Sequence, residues 1–136
     1  MLYMVVEERE CKGALKVLVI DDQTGVRMLM EEILEDEDCC VCQAPSGTLG
    51  IEILESFQPH IVFVDYKMPV IDGMEIAERI RKKDYNCTII LMTAYQDIDR
   101  ACADKIVDQY LLKPFDIQNV KDILRSAFDP GRDEII

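Results

Sequence analysis

Five polar residues close short apolar runs in this sequence: Asp21 and Asp22 after Lys16-Val-Leu-Val-Ile, Asp65 after Ile61-Val-Phe-Val, Thr93 after Thr88-Ile-Ile-Leu-Met, and Lys113 after Gln109-Tyr-Leu-Leu. Such runs, rich in β-branched residues, read as buried strands. In a parallel sheet the carboxyl ends of all strands emerge at one edge, where ligands bind in open α/β folds. Three carboxylates gathered there repel one another and disfavour ionisation unless a cation joins them. A hard divalent cation is implied. Magnesium fits, because it takes oxygen ligands, keeps several waters and pairs with one or two carboxylates plus a phosphate. With that cation and the Lys113 ammonium drawing in a phosphoryl group, Asp65 can attack phosphorus and form an aspartyl phosphate, which is labile and suits a transient signal. The competing reading is an ordinary set of loop charges, and Asp65 taken alone is equally a loop cap.

The elements that must position these groups follow from the pattern between them. Thr24 is expected to cap a first helix with Val26, Leu29, Met30, Ile33 and Leu34 on its inner face and Glu31, Glu32, Glu35 and Asp36 on the other. Val41 to Ala44 forms a weaker second strand. Ser46-Gly47 opens a helix that turns Leu49, Ile53, Leu54 and Phe57 inward and stops at Pro59. The strand ending in Asp65 leads through Pro69 and Asp72-Gly73 into a helix capped by Asp72, with Met74, Ile76, Ala77 and Ile80 inward and a basic C-terminus. Ile98 to about Lys105 is a short, weakly specified helix. The last helix turns Ile117, Val120, Ile123, Leu124 and Phe128 inward and ends before Pro130-Gly131. Strands alternating with helices imply a doubly wound α/β fold with a five-stranded parallel sheet and helices on both faces.

With 136 residues, 49% of them hydrophobic, the chain suits one domain. We expect an N-terminal extension at 1–14, a domain at 15–128 and a C-terminal tail at 129–136. A formal net charge of −12 argues against nucleic acid and against an anionic membrane surface. No apolar run approaches a membrane span, and the N-terminal hexapeptide lacks a basic flank, so a soluble, cytoplasmic protein is expected. Cys39-Cys40-Val41-Cys42 contains no Cys-x-x-Cys pair and the single histidine, His60, is distant, which disfavours zinc. The six cysteines are expected to be small buried hydrophobes in a reducing compartment.

From about Leu15 to Phe128 the chain resembles the receiver domain of two-component response regulators. The resemblance rests on Asp21-Asp22, on Asp65-x-x-Met68-Pro69-x-x-Asp72-Gly73, on Met92-Thr93-Ala94 and on Lys113-Pro114-Phe115. It implies a flavodoxin-like strand order 2-1-3-4-5. It also implies that Asp65 is the phosphoacceptor, that Asp22, Asp65 and the Lys67 carbonyl ligate magnesium, and that Asp21 assists, partly through water. Lys113 would pair with phosphoryl oxygens, and Thr93 would move to bond one of them as Tyr110, three residues before Lys113, rotates inward. The likeness is greatest to stand-alone receivers of sporulation phosphorelays, through Asp21-Asp22-Gln23-x-Gly25-x-Arg27, Asp65-x-Lys67, Met92-Thr93-Ala94-Tyr95 and Lys113-Pro114-Phe115-Asp116-Ile117. That subclass implies docking of a histidine-phosphotransfer helix bundle on Gln23, Gly25, Val26, Pro114, Phe115 and Ile117. Lys67 and Tyr95 would obstruct attacking water.

One stretch departs from the family. Where a Gly-Ala pair usually precedes strand five, this chain has Lys105-Ile106-Val107 and is about two residues short, so a shortened or displaced helix four is expected, since a β-branched residue resists the left-handed helix stop. The expected function is a phosphorylatable receiver, not a turnover enzyme. It would take phosphate from a sensor histidine kinase or a histidine phosphotransfer protein and relay or display it to a downstream partner, with no output domain after the last helix. The alternatives are a receiver portion of a longer regulator, a magnesium-dependent phosphohydrolase and a flavin-binding protein. The phosphohydrolase needs a general-acid Asp two positions after the nucleophile, where Lys67 stands, and an acidic rim repels flavin phosphate.

Overall fold

In the computed structural model, which describes residue 11 and residues 13–128, the apolar runs form β1 Lys16–Ile20, β2 Cys40–Ala44, β3 Ile61–Asp65, β4 Thr88–Thr93 and β5 Gln109–Leu112. The helices are α1 Thr24–Asp36, α2 Gly47–Phe57, α3 Gly73–Lys82, α4 Arg100–Ala103 and α5 Ile117–Phe128, with a 3-10 turn at Tyr95–Asp97 between β4 and α4. All four strand pairings are parallel and the order is β2-β1-β3-β4-β5, as the resemblance implies. The tail at 129–136 and most of the extension at 1–14 lie outside the described residues.

Alternate strand residues point to opposite faces, and each face has its own core. On one side Leu18, Ile20, Val62 and Val64 meet Ile53, Leu54 and Phe57 of α2 and Ile76 and Ile80 of α3. On the other, Val17, Val19 and Phe63 meet Met30 and Leu34 of α1 and Val120 and Leu124 of α5. Strand residues buried on both faces explain why the runs are continuously apolar instead of alternating. Fully burying one such side chain contributes roughly 1.5–3 kcal/mol, so strand positions are fixed by many contacts and their ends become a rigid platform.

The caps show where local chemistry prevails. Ser46 accepts from Leu49 N at 3.2 Å and Asp72 from Glu75 N at 2.9 Å, so α2 and α3 start as expected. Thr24, in contrast, is the first helical residue, not the cap. Gln23 takes that position with no side-chain cap bond, and its backbone N–H donates to Asp21 Oδ1 at 2.9 Å.

Three further expectations need correction. Leu29 and Ile117 were assigned to inner faces but are exposed, at 44% and 53%. Each lies at the margin of its helix's apolar arc, where the neighbouring element does not reach. The Phe128 side chain lies outside the described residues. The cysteines are not uniformly buried thiols either. Cys11 is joined to Cys40 as a disulfide with Cα atoms 5.4 Å apart, and Cys102 is exposed on α4, while Cys39, Cys42 and Cys87 are buried.

The connection from α4 to β5 has no left-handed stop; among the described residues the non-glycine residues at positive φ are Asp38, Gln58, Val70 and Asp84. The amides of Ile106 and Val107 donate instead to Ala103 O at 2.9 Å. Arg81 of α3 then secures the segment from outside. It donates to Ile106 O at 2.9 Å, Cys87 O at 2.8 Å and Asp108 Oδ2 at 2.7 Å.

Candidate functional site

The strand register brings the five expected groups to one edge. β1 ends at Ile20, so Asp21 and Asp22 fall just beyond it; Asp65 is paired with Met92, and Thr93 with Leu112, the residue before Lys113. Main-chain bonds fix these ends: Asp21 N donates to Ala44 O, Tyr66 N to Met92 O and Lys113 N to Thr93 O, at 2.9–3.1 Å. Gly73 allows the loop after β3 to fold tightly back. A Cβ there would stand 2.5 Å from the Asp65 carbonyl oxygen, and the Gly73 amide donates to Tyr66 O at 2.8 Å.

At the centre, Lys113 Nζ donates to Asp65 Oδ1 at 2.6 Å and lies 3.7 Å from Asp21 Oδ2. Asp21 is fully buried, Asp65 nearly so, and Asp22 exposed. Burial is the leading cause that pushes the Asp65 carboxyl above the usual carboxylate range; the Lys113 hydrogen bond pulls it back, and Asp22 raises it further. Asp21 is likewise pushed up by burial, against the Gln23 amide that lowers it. Asp21 Oδ2 has no hydrogen-bond partner. A buried carboxylate oxygen without a partner costs on the order of 1–3 kcal/mol, and it lies in a group, with Asp22 and Asp65, whose ligand oxygens are all within 4.8 Å of one another. This all-oxygen donor set fits a hard divalent cation.

The mouth of the site is a cleft of about 240 Å³ bounded by the ends of β1, β3, β4 and β5. Thr93, 2% exposed, has its hydroxyl turned to the Ala94 carbonyl, to which it donates at 3.0 Å. Lys67 projects into solvent above Asp65 and pairs with Asp97 Oδ1 at 3.5 Å. Asp97 was missed in the sequence. Its signal is an acid four residues after Thr93, legible only once the turn Tyr95–Asp97 folds back toward the cleft. The Tyr95 side chain lies outside the described residues. Arg27 holds the acidic loop from below, donating to Asp21 O at 2.7 Å and Gln43 Oε1 at 3.1 Å.

Other expected residues are placed as follows. Tyr110 is half-buried on β5, with its hydroxyl engaged by Asp104. Gln23, Gly25, Pro114 and Ile117 are exposed, and Val26 and Phe115 are half-buried, around the same edge of the sheet. A larger cavity, about 530 Å³, is lined by His60, Arg81 and Asp108 among others and contains none of the five groups. It opens where the strands begin. Among the described residues no helix is long and apolar enough to cross a membrane.

Comparison with known proteins places this geometry. The family profile described as "Response regulator receiver domain" matches residues 17–125. Sporulation initiation phosphotransferase F of Bacillus subtilis is 35% identical over 112 residues, covering 81% of this chain and 90% of that protein. Among solved structures, chemotaxis protein CheY4 of Vibrio cholerae superposes with a TM-score of 0.80 at 22% identity, covering 85% of this chain and all of that one, a likeness of fold. Response regulator TrrA of Thermotoga maritima, solved in complex with Mg(2+)-BeF, gives a TM-score of 0.76 at 31% identity, over 83% of this chain and 98% of that one.

Proposed function

The chain belongs to the response regulator receiver domain family, and from that premise we propose that Asp65 accepts a phosphoryl group from a phosphohistidine and relays or displays it to a protein partner. The donor is a sensor histidine kinase or a histidine phosphotransfer protein, acting in the cytoplasm. The observation that carries this reading is the Lys113 ammonium, 2.6 Å from Asp65 and beside the unpartnered oxygen of Asp21.

Asp21, Asp22, Asp65 and the main-chain carbonyl of Lys67 would hold magnesium, which when bound offsets the charge of the carboxylates and of the incoming phosphoryl oxygens. The remaining steps belong to the chain. One oxygen of Asp65 forms the new O–P bond as the donor's P–N bond breaks, and the imidazole leaves and takes up a proton. Lys113 exchanges the free carboxylate for a phosphoryl oxygen. The Thr93 hydroxyl leaves Ala94 O and donates to another, and Tyr110 turns toward the space so vacated. Lys67, tethered by Asp97 across the mouth, hinders water from the line of attack and slows hydrolysis. The protein is thus a carrier of phosphate and not a turnover enzyme. Docking of the donor and acceptor helices falls to Gln23, Gly25, Val26, Pro114, Phe115 and Ile117, which surround the cleft.

Intact-mass measurement after incubation with acetyl phosphate tests the chemistry. We expect one added phosphoryl group in the presence of magnesium, little without it, and none on Asp65→Asn. Labelling that persists in Asp65→Asn would remove Asp65 from the mechanism.

A further inference from the structure

Tyr110 is gripped from outside the sheet by the four-residue helix α4 and the residue after it. Its hydroxyl donates to Asp104 Oδ1 at 2.5 Å, the Arg100 guanidinium lies 4.0 Å from the centre of its ring, and Arg100 Nε stands 3.7 Å from the same Asp104 oxygen. A hydroxyl donating to an ionised carboxylate is a charge-assisted hydrogen bond, and a guanidinium over a phenol ring adds a cation–π attraction. Burial, and after it the Asp104 carboxylate, raise the phenol's pKa, so the hydroxyl keeps the proton it donates. Two of these contacts fall on Tyr110, and the third ties its two partners to each other. Tyr110 stands opposite Leu91 in the register, one strand from Thr93 and three residues before Lys113.

Resting on the reading of Asp65 as phosphoacceptor and Tyr110 as the group that turns inward, we propose that Arg100 and Asp104 are positioning residues that hold Tyr110 outward in the unphosphorylated protein, so that phosphoryl capture must break their grip. Whatever favours the inward tyrosine then competes with the Asp104 bond, and its apparent affinity is reduced by the fraction of molecules already released. By reciprocity, releasing the tyrosine tightens phosphoryl binding by the same factor. The short α4 thereby becomes a part of the switch. A helix of one turn has little internal stability, so loss of the Tyr110 contacts frees α4 to move.

Beryllofluoride titrated into the full chain with magnesium, and followed by the backbone amide signals around Asp65, reads this directly. We expect Tyr110→Phe to lower the half-saturating concentration by roughly tenfold, the scale of one hydrogen bond to a charged group, and Asp104→Asn, which keeps an accepting oxygen but loses the charge, and Arg100→Ala by smaller factors. The double variant Asp104→Asn/Tyr110→Phe should gain no more than Tyr110→Phe alone, since Asn only weakens the bond that Phe removes. Unchanged or weaker binding in the single variants, or effects that multiply in the double, overturns the proposal. A merely structural Asp104 would give such an outcome. Should Asp104→Asn fail to fold, Tyr110→Phe, which removes only a hydroxyl, and Arg100→Ala carry the test. If the wild-type chain does not bind beryllofluoride, or binding survives Asp65→Asn, the phosphoacceptor reading itself falls and takes this one with it. Binding that is lost in Asp65→Asn but unmoved by the other variants sinks only the tyrosine grip.

Discussion

Asp21 shows how one residue can weaken the fold in order to equip the site. Its carboxyl is pushed above the ordinary value of 3.8 chiefly by burial, and Asp65 is shifted in the same direction for the same leading reason. The sign follows from proton counting. Between 3.8 and the raised value the folded metal-free protein binds more protons than the unfolded chain, so stability falls as pH rises through that window, and the deficit persists at neutral pH. Asp21→Asn removes the buried charge and is therefore expected to stabilise the metal-free protein at neutral pH by about 1 kcal/mol, on the scale of penalties for buried polar groups, read as a higher urea midpoint. Magnesium should stabilise the wild type clearly more than the variant. A lower midpoint for the metal-free variant would show that Asp21 supports the fold instead.

Elements carry the next level of strain, and the loop between β3 and α3 concentrates it. Val70 has φ +73° and is 98% exposed, so a β-branched residue occupies the left-handed region with no packing to compensate. Val70→Gly should raise thermal stability by about 1 kcal/mol, the usual penalty of that conformation for an L side chain, as read by a denaturation midpoint. This strain was not legible in Met68-Pro69-Val70-Ile71, because hydrophobic patterning reports burial and says nothing about the sign of φ. The strands were legible for the opposite reason. Continuous apolar runs ending in a polar residue have one stable solution, and β5 occupies Gln109–Leu112 as its residues indicate. Asp21, Asp65, Thr93 and Lys113 could be located because each is anchored to such an end. What escaped depends on contacts between distant segments. Asp97 meets Lys67 only after a turn, and the Cys11–Cys40 pairing joins residues 29 apart.

At the scale of the molecule, two apolar layers hold a rigid sheet whose polar end gathers the candidate site, and the segment 98–108 between β4 and β5 is fastened to it from α3. Arg81 is the main fastening, with three donors spent on Ile106, Cys87 and Asp108. Asp108 in turn accepts from Ile89 N at 2.8 Å, linking the same fastening to β4. A guanidinium that makes several bonds to one segment can set whether that segment opens by itself or only with the whole domain. Arg81→Ala should therefore speed amide hydrogen exchange across residues 98–108 by roughly 10- to 100-fold, the scale of losing a charged hydrogen bond, and leave the amides of β1 and β3 almost unchanged. Equal acceleration in the central strands would mean that the domain opens as one piece. In the wild type, the segment 98–108 is thus expected to open as its own cooperative unit, held in part by one side chain from α3, while β5 and α5 stay with the sheet and its core. The opening free energy of that segment can be tuned by a substitution on α3, an element that contributes none of the five groups of the candidate site.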